Sequence, residues 1–257
     1  MNTNQNTNTF SSRLKLIREK NHFTAGICIS LLPLTLLKNE KTLFLHKKEL
    51  AFFETLHYPK RQHSFLAGRY CAKQAIIQIS PSPCEPNKIA IIAGIFQQPI
   101  VYSKNHPNLQ ISISHTESYG AAISFPEAHP MAIDIETIDS NRKDTLQSQM
   151  TKKELDALPC FFKDRISHLT LLWTAKEALS KILRCGFMVP FEMLEIGALI
   201  QQKQFIQSQF EHFTQYHALS FTLNNIICSI VYPRKTQFEL DILAIQQCLG
   251  KENDNAR

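Results

Sequence analysis

The stretch 169–183, LTLLWTAKEALSKIL, constrains this chain more than any other, because its spacing predicts a helix with two distinct faces. At roughly 100° of turn per residue, Leu171, Leu172, Ala175, Ala178, Leu179, Ile182 and Leu183 fall on one apolar arc. Trp173, Glu177 and Lys181 fall on another, each one turn after the last, and residues at that spacing are stacked neighbours. A carboxylate therefore stands one turn before an ammonium, with an indole one turn before both. Lys176 lies at the edge of the apolar arc, where its stem can pack and its charge can reach out. Gly186, after Arg184 and Cys185, is expected to end the helix as its C-cap. Taken alone, the stretch reads equally well as a core helix with a solvated outer face.

The rest of the chain reads as alternating helices and short strands. Residues 27–37 look like one or two strands broken at Pro33. A short helix is expected over 47–56, and Pro59 opens a longer one that runs to about Ile79. On it Arg69 and Lys73 share a face, with Lys60 and Arg61 near its start. Strands are expected at 88–92, 99–102 and 109–114. The last pairs with 119–125 as a hairpin across HTES. FPEAHP marks a boundary between halves; then come a strand at 131–135 and a helix at 151–158. The latter has Thr151 and Glu154 at capping-box spacing. The long helix spans the 161–183 region. Strands follow at 194–200, 203–209, 217–223, 226–232 and 237–240, and a short helix at 241–249 closes the chain. Each half thus has a long helix followed by short strands, with a lysine, Lys73 or Lys176, near the helix middle. This pattern predicts an α+β fold of two similar halves. The expected division is a disordered segment 1–14, halves 15–128 and 129–249, and a tail 250–257.

Bulk properties bound the function. The 257 residues suffice for a real core. The net charge of +6 favours anionic partners without choosing among them. Seven scattered cysteines with no CxxC pair argue against a disulfide framework or a zinc site and suit a reducing cytoplasm. The longest apolar run, 26–37, is too short to span a bilayer.

Three groups of residues can carry chemistry. In MAIDIE, alternation puts Asp134 and Glu136 on one strand face and Ile133 and Ile135 on the other. Two carboxylates on one face suit either solvent or a hard cation such as Mg²⁺, and Glu177 could supply a third ligand. Ser114, His115 and Thr116 form a small donor-rich cluster suited to a phosphate. Lys60, Arg61, Arg69 and Lys73 are either solvated helix charge or a phosphate cradle.

PKRQHSFLAGRYCAK, SISHT, AIDIE and WTAKEALSK follow one another in that order. Together they resemble the 4′-phosphopantetheinyl transferases of the surfactin-synthetase-associated and enterobactin-synthase (siderophore) type. The resemblance covers about residues 50–190, and GIFQQPIVY and VPFEML are similar as well. Each motif is weak alone; four in order, from three element types, agree on one polyanion-and-metal site.

The resemblance implies a pseudo-twofold pair of α+β halves, each a long helix on a small, mostly antiparallel sheet, with coenzyme A between them. It implies an Mg²⁺-dependent transferase, with Mn²⁺ as a substitute, moving phosphopantetheine from coenzyme A to a serine of an acidic apo carrier protein. Asp134, Glu136 and Glu177 match the family's metal ligands, and Glu177 its candidate base. Lys181 matches the lysine on the transferred phosphate and His115 a histidine at the coenzyme A phosphates. Ser114, Thr116, Lys60, Arg61, Arg69, Lys73 and Lys176 complete the expected coenzyme A set. A cytoplasmic monomer that binds no nucleic acid is expected. The competing readings are a metal-dependent nuclease and a catalytically silent coenzyme A-binding protein. Two departures stand out: Ala132 replaces the usual Gly before IDIE, and GIFQQP lacks the second Gly and the Lys of the family turn.

Overall fold

The computed structural model describes residues 8–103, 108–156, 161–162 and 164–250. The first half holds β1 (Thr9–Arg18), β2 (Asn21–Ser30), α1 (Leu34–Asn39), α2 (Lys41–Phe44), α3 (Lys47–Phe53), α4 (Pro59–Ile77), β3 (Ala90–Ala93), β4 (Pro99–Tyr102), β5 (Leu109–His115) and β6 (Gly120–Pro126). The second holds β7 (Ala132–Thr137), α5 (Lys143–Ser148), α6 (Lys152–Asp156), α7 (Arg165–Leu183), β8 (Ile196–Gln201), β9 (Ile206–Phe210), β10 (Tyr216–Leu223), β11 (Ile226–Pro233) and α8 (Ile242–Leu249). Two antiparallel sheets result, ordered β1-β2-β6-β5-β4-β3 and β7-β11-β10-β9-β8. With β1 set aside, the two follow the same path, and each long helix enters after its sheet's first strand. The fold is the α+β pair of similar halves that the motif order implies.

Strand alternation decides which face each sheet turns inward. Ile27, Ile29, Ala121 and Ile123 of the first sheet share one buried cluster with Ile133, Ile135, Phe221, Cys228 and Ile230 of the second. Neighbouring positions on the same strands, Cys28 and Ala122, pack instead with Cys71, Ala72 and Ala75 of α4. Ala132, Ile227 and Val231 pack likewise with Leu171, Ala175 and Leu179 of α7. The sheets therefore face each other through one core, with a long helix on each outer face. The Ala132 methyl packs within the α7 core, so no part of a ligand pocket is filled by it.

The repeat extends to a buried ion pair in each half. Lys73 of α4 bonds Glu49 of α3 at 2.7 Å, and Lys176 of α7 bonds Glu154 of α6 at 2.7 Å. Each glutamate also closes a capping box, on His46 N and on Thr151 N, both at 2.8 Å. Its other oxygen accepts a strand N–H, from Ile91 at 3.1 Å and from Ile196 at 2.9 Å. The lysines finish on loop carbonyls: Pro86 and Ile89 for Lys73, Gln149 and Phe191 for Lys176. One carboxylate thus pins a short helix, a long helix and a strand together.

Several expectations need correction. Residues 9–14 belong to β1, whose Leu14 and Leu16 enter the core; 1–7 and 251–257 lie outside the described residues. The segment after β2 turns helical at Pro33, which sits at the N-cap of α1. The long helix starts at Arg165, because the Asp164 carboxylate accepts the Ser167 N–H at 2.8 Å and caps it. Its C-cap is Arg184, in the left-handed conformation (φ 55°), and not the expected Gly186, which is itself left-handed (φ 50°) two residues further on. Residues 237–240 form no strand; Gln237 only bridges Ile17. The expected end of the 151–158 helix falls partly outside the described residues.

Candidate functional site

The seam between the halves is where β5 crosses β7, and serine side chains rather than a strand ladder join them. Ser112 Oγ accepts the Ile133 N–H at 3.2 Å, and Ser114 Oγ accepts that of Ile135 at 3.2 Å. Ser114 then donates to Asp134 Oδ1 at 2.7 Å. Lys181 comes down from α7 and spends its three protons here: on Ile113 O (3.2 Å), Ile133 O (3.0 Å) and Asp134 Oδ1 (2.8 Å). A single ammonium therefore ties both strands to the helix.

The alternation expected in AIDIE holds. Asp134 and Glu136 point towards α7, and Ile133 and Ile135 enter the core between the sheets. Asp134 Oδ2 is buried without a hydrogen-bond partner, which is costly for a carboxylate oxygen. Glu136 receives Arg142 Nη1 at 2.6 Å and the Trp173 indole N–H at 3.2 Å. Burial and then the charge of Asp134 push its carboxyl up, against the pull of Arg142. Burial, followed by Asp134, pushes the Glu177 carboxyl up to about 7, Lys181 opposing and Glu136 adding to the rise. His115 ends β5 with an exposed edge; the residues around its ring still take it partly out of water, and this, then Lys181, lowers its affinity for a proton.

Three cavities open around this seam. One, of about 600 Å³, is lined by Lys60, Ser64, His115, Thr116, Glu136 and Arg142. A second, of about 330 Å³, shares Ser64 and His115 and adds Arg61, Phe65, Gly68 and Arg69. Gly68 belongs there by necessity, since a Cβ would stand 2.9 Å from Ile113 Cγ2 and push α4 off β5. The third, of about 310 Å³, reaches Glu177 and Lys181 from the far side, past Gln110, Met131 and Arg184.

The residues singled out from sequence thus separate into groups. Lys60, Arg61, Arg69, His115, Thr116 and Glu136 line the two adjoining cavities; Glu177 and Lys181 line the third, and Asp134 is buried beside Lys181. Lys73 and Lys176 do not join the site: both are fully buried, and their charges are taken by Glu49 and Glu154. The expectation that they contact coenzyme A is corrected, because burying their heads at those pairs leaves nothing facing a cleft. Ser114 spends its hydroxyl on the seam. Sequence reasoning missed Arg142, which carries no motif signal, Ser64, which lies inside PKRQHSFLAGRYCAK but is not singled out by it, and Ser112, whose place two residues before Ser114 on an alternating strand did put it on the same face. It also missed Glu49, whose carboxylate holds Arg69 Nε at 3.2 Å, close enough for an ion pair though out of line for a hydrogen bond.

The oxygen donors Asp134, Glu136 and Glu177 are of the type a hard cation takes. As placed, no three His, Cys, Asp or Glu side chains among the described residues converge closely enough to grip one ion. Asp134 Oδ2 and the Glu177 carboxylate are uncommitted, and Glu136 is held by Arg142.

Comparisons with known proteins bear on the family of this chain. A family profile described as the 4′-phosphopantetheinyl transferase superfamily matches residues 130–231, the half that contributes the three carboxylates. A holo-(acyl-carrier-protein) synthase of Mycoplasma mycoides subsp. mycoides SC is 34% identical over 84 residues, 33% of this chain and 74% of that relative. Its counterpart in Mycoplasma capricolum subsp. capricolum is 37% identical over 68 residues, 26% of this chain and 61% of its own length. Among solved structures, a holo-(acyl-carrier-protein) synthase of Bacillus anthracis in complex with CoA (3′,5′-ADP) superposes with a TM-score of 0.35 at 20% identity. It covers 44% of this chain and 96% of its own. The holo-ACP-synthase of Plasmodium yoelii gives 0.32 at 18%, over 47% and 93%. With the motifs, the carboxylate seam and a relative matched over most of its length, this chain belongs to the 4′-phosphopantetheinyl transferase superfamily.

Proposed function

We propose that the chain transfers 4′-phosphopantetheine from coenzyme A to a serine of an apo carrier protein. The observation that carries this reading is the pair of adjoining cavities that bring Glu136 of β7 together with Lys60, Arg61 and Arg69 of α4, while Glu177 lines a third cavity and Lys181 bonds the buried Asp134. A nucleotide diphosphate needs such a lining: Arg61, Arg69, Lys60 and His115 for the non-reacting phosphates. In the reaction the serine oxygen forms a bond to phosphorus, a P–O bond of the pyrophosphate breaks, and 3′,5′-ADP leaves. Glu177, with its carboxyl near 7, is matched to take the serine proton at neutral pH. Lys181 holds Asp134 and the two strands in place through its three N–H groups, and its positive charge acts on the transferred phosphate from that position.

The reading includes a bound Mg²⁺, for which Mn²⁺ could substitute. The buried, unpartnered Asp134 Oδ2 and the uncommitted Glu177 fit such an ion. Asp134, Glu136 and Glu177 would hold it, and it would neutralise charge growing on the pyrophosphate oxygens.

We also assign the chain to the surfactin-synthetase-associated and enterobactin-synthase type. The support is that one chain holds both halves of the repeat. By contrast, 84 residues make up 74% of the Mycoplasma mycoides relative, about the size of one half. Two fused halves complete the seam within one molecule, so a monomer is expected. The net charge of +6 suits an acidic carrier. Six free thiols among the described residues suit a cytoplasmic setting. No helix among those residues is long and apolar enough to cross a membrane.

The test is intact-mass analysis of a panel of apo carrier proteins incubated with the protein, coenzyme A and Mg²⁺. One carrier gaining the mass of a single phosphopantetheine is the expected result. Tight coenzyme A binding with every carrier unmodified would indicate a silent binding protein instead. A second check concerns Arg69, which lines the smaller of the two adjoining cavities and not the one that holds Glu136. Arg69→Ala is expected to raise KM for coenzyme A about tenfold with kcat nearly kept, the mark of uniform binding. A large fall in kcat at unchanged KM would remove Arg69 from that place.

A further inference from the structure

Arg142 belongs to none of the motifs, yet it stands as close to a carboxylate of β7, 2.6 Å from Glu136, as Lys181 does at 2.8 Å from Asp134. It ends the short 3₁₀ turn Ser140–Arg142, which Asp139 caps through the Asn141 N–H at 2.9 Å. Its guanidinium meets Glu136 Oε2 at 2.6 Å, with the two side chains 35% and 26% exposed. A pair this close to water is exchangeable, unlike the fully buried pairs of Lys73 and Lys176. Lys181 cannot stand in for it, since its three protons are spent on Asp134 and two carbonyls. Asp134, Glu136 and Glu177 therefore share two positive neighbours, and only one of them is easily released. The surface released by such a move is the cavity of Lys60, Ser64, His115 and Thr116, which offers hydroxyl, imidazole and ammonium groups.

We propose that Arg142 is a resident counter-cation of Glu136, one that yields the carboxylate to a divalent cation and then turns its guanidinium to a phosphate in the same cavity. This inference rests on the cation site proposed above. It makes Arg142 a positioning residue before substrate arrives and a binding residue afterwards. The exchange couples the two ligands: metal bound at Glu136 frees the fork that coenzyme A needs.

The molecule supplies its own probe. Trp173 is the single tryptophan of the chain and donates its indole N–H to Glu136 Oε1 at 3.2 Å. A cation that takes Glu136 perturbs that bond and hence the emission. The experiment titrates MgCl₂ into EDTA-treated wild-type, Arg142→Gln and Arg142→Lys proteins without coenzyme A, reading Trp173 fluorescence and confirming by calorimetry. Coenzyme A is then titrated at saturating Mg²⁺. Arg142→Gln is expected to bind Mg²⁺ about three- to tenfold more tightly, since an internal competitor worth a charge-assisted bond is gone. It is expected to bind coenzyme A about tenfold more weakly, from the lost fork. Arg142→Lys keeps the charge and stays near wild type for Mg²⁺. Unchanged or weaker Mg²⁺ binding by Arg142→Gln overturns the counter-cation role. Unchanged coenzyme A affinity overturns the phosphate role. If no variant, wild type included, shows saturable Mg²⁺ binding by either readout, the cation site itself fails and this inference with it.

Discussion

Glu177→Gln is expected to make the protein more stable at pH 8 and to abolish its transfer activity. Burial, then Asp134 and Glu136, hold the Glu177 carboxyl at about 7, and no hydrogen bond compensates its charge. The folded state therefore binds this proton more tightly than the unfolded chain, whose glutamate titrates near 4.5. The stability that the proton contributes is complete below the unfolded value and is lost as pH rises through about 7. Above that, the ionised carboxylate costs about 1–2 kcal/mol, after allowance for its partial exposure. An uncharged amide of the same shape removes that cost. The gain in thermal midpoint should be present at pH 8 in EDTA and vanish near pH 4.5. Saturating Mg²⁺ should narrow it, by stabilising the wild type more than the variant. Turnover should fall on the order of 10²–10³ or more, because one carboxylate serves as both proton acceptor and cation ligand. An unchanged or lower midpoint at pH 8 would show that Glu177 is not under electrostatic load. Retained turnover would remove it from the chemistry.

Much of this site was legible because its residues sit where local periodicity is strong. Alternation put Asp134 and Glu136 on one face of β7, and the 3.6-residue period put Trp173, Glu177 and Lys181 on one face of α7. Gly68 and His115 lie within motifs whose order is informative. What escaped was set by contacts distant in the chain. Lys176 lies on the apolar arc of α7, and its partner Glu154 stands 22 residues earlier in what reads as a purely local capping box. Nothing in either segment announces that one carboxylate serves both duties. Arg142 lies on a short turn with no periodicity, so only the folded chain brings it to Glu136. The start of β1 was hidden by the Asn- and Thr-rich residues before it, although Leu14 and Leu16 already alternate. Arg184 in the left-handed region shows a cap made by backbone bonds to Ser180 and Lys181 rather than by the available glycine.

The buried lysines give the largest expected effect on stability, and they separate two roles that the sequence left entangled. Lys176 has its ammonium sealed against Glu154 at 2.7 Å, with Gln149 O at 3.2 Å and Phe191 O at 3.4 Å. Glu154 also holds the start of α6 and the start of β8 through Thr151 N and Ile196 N. Removing the lysine strands a carboxylate in the core, which typically costs 3–5 kcal/mol. For a chain of this size that is a fall in thermal midpoint of roughly 10 °C. Lys176→Ala is therefore expected to unfold early, while the fraction that remains folded keeps its KM for coenzyme A. Replacing both partners, Lys176→Met with Glu154→Gln, leaves no unpaired charge, and much of the loss should return. The amide can still cap Thr151, which a hydrophobic residue could not. Were Lys176 a coenzyme A contact, the single variant would keep its midpoint and raise KM, and the double variant would be no better. Thermal midpoint and KM measured on the same two proteins decide between these roles.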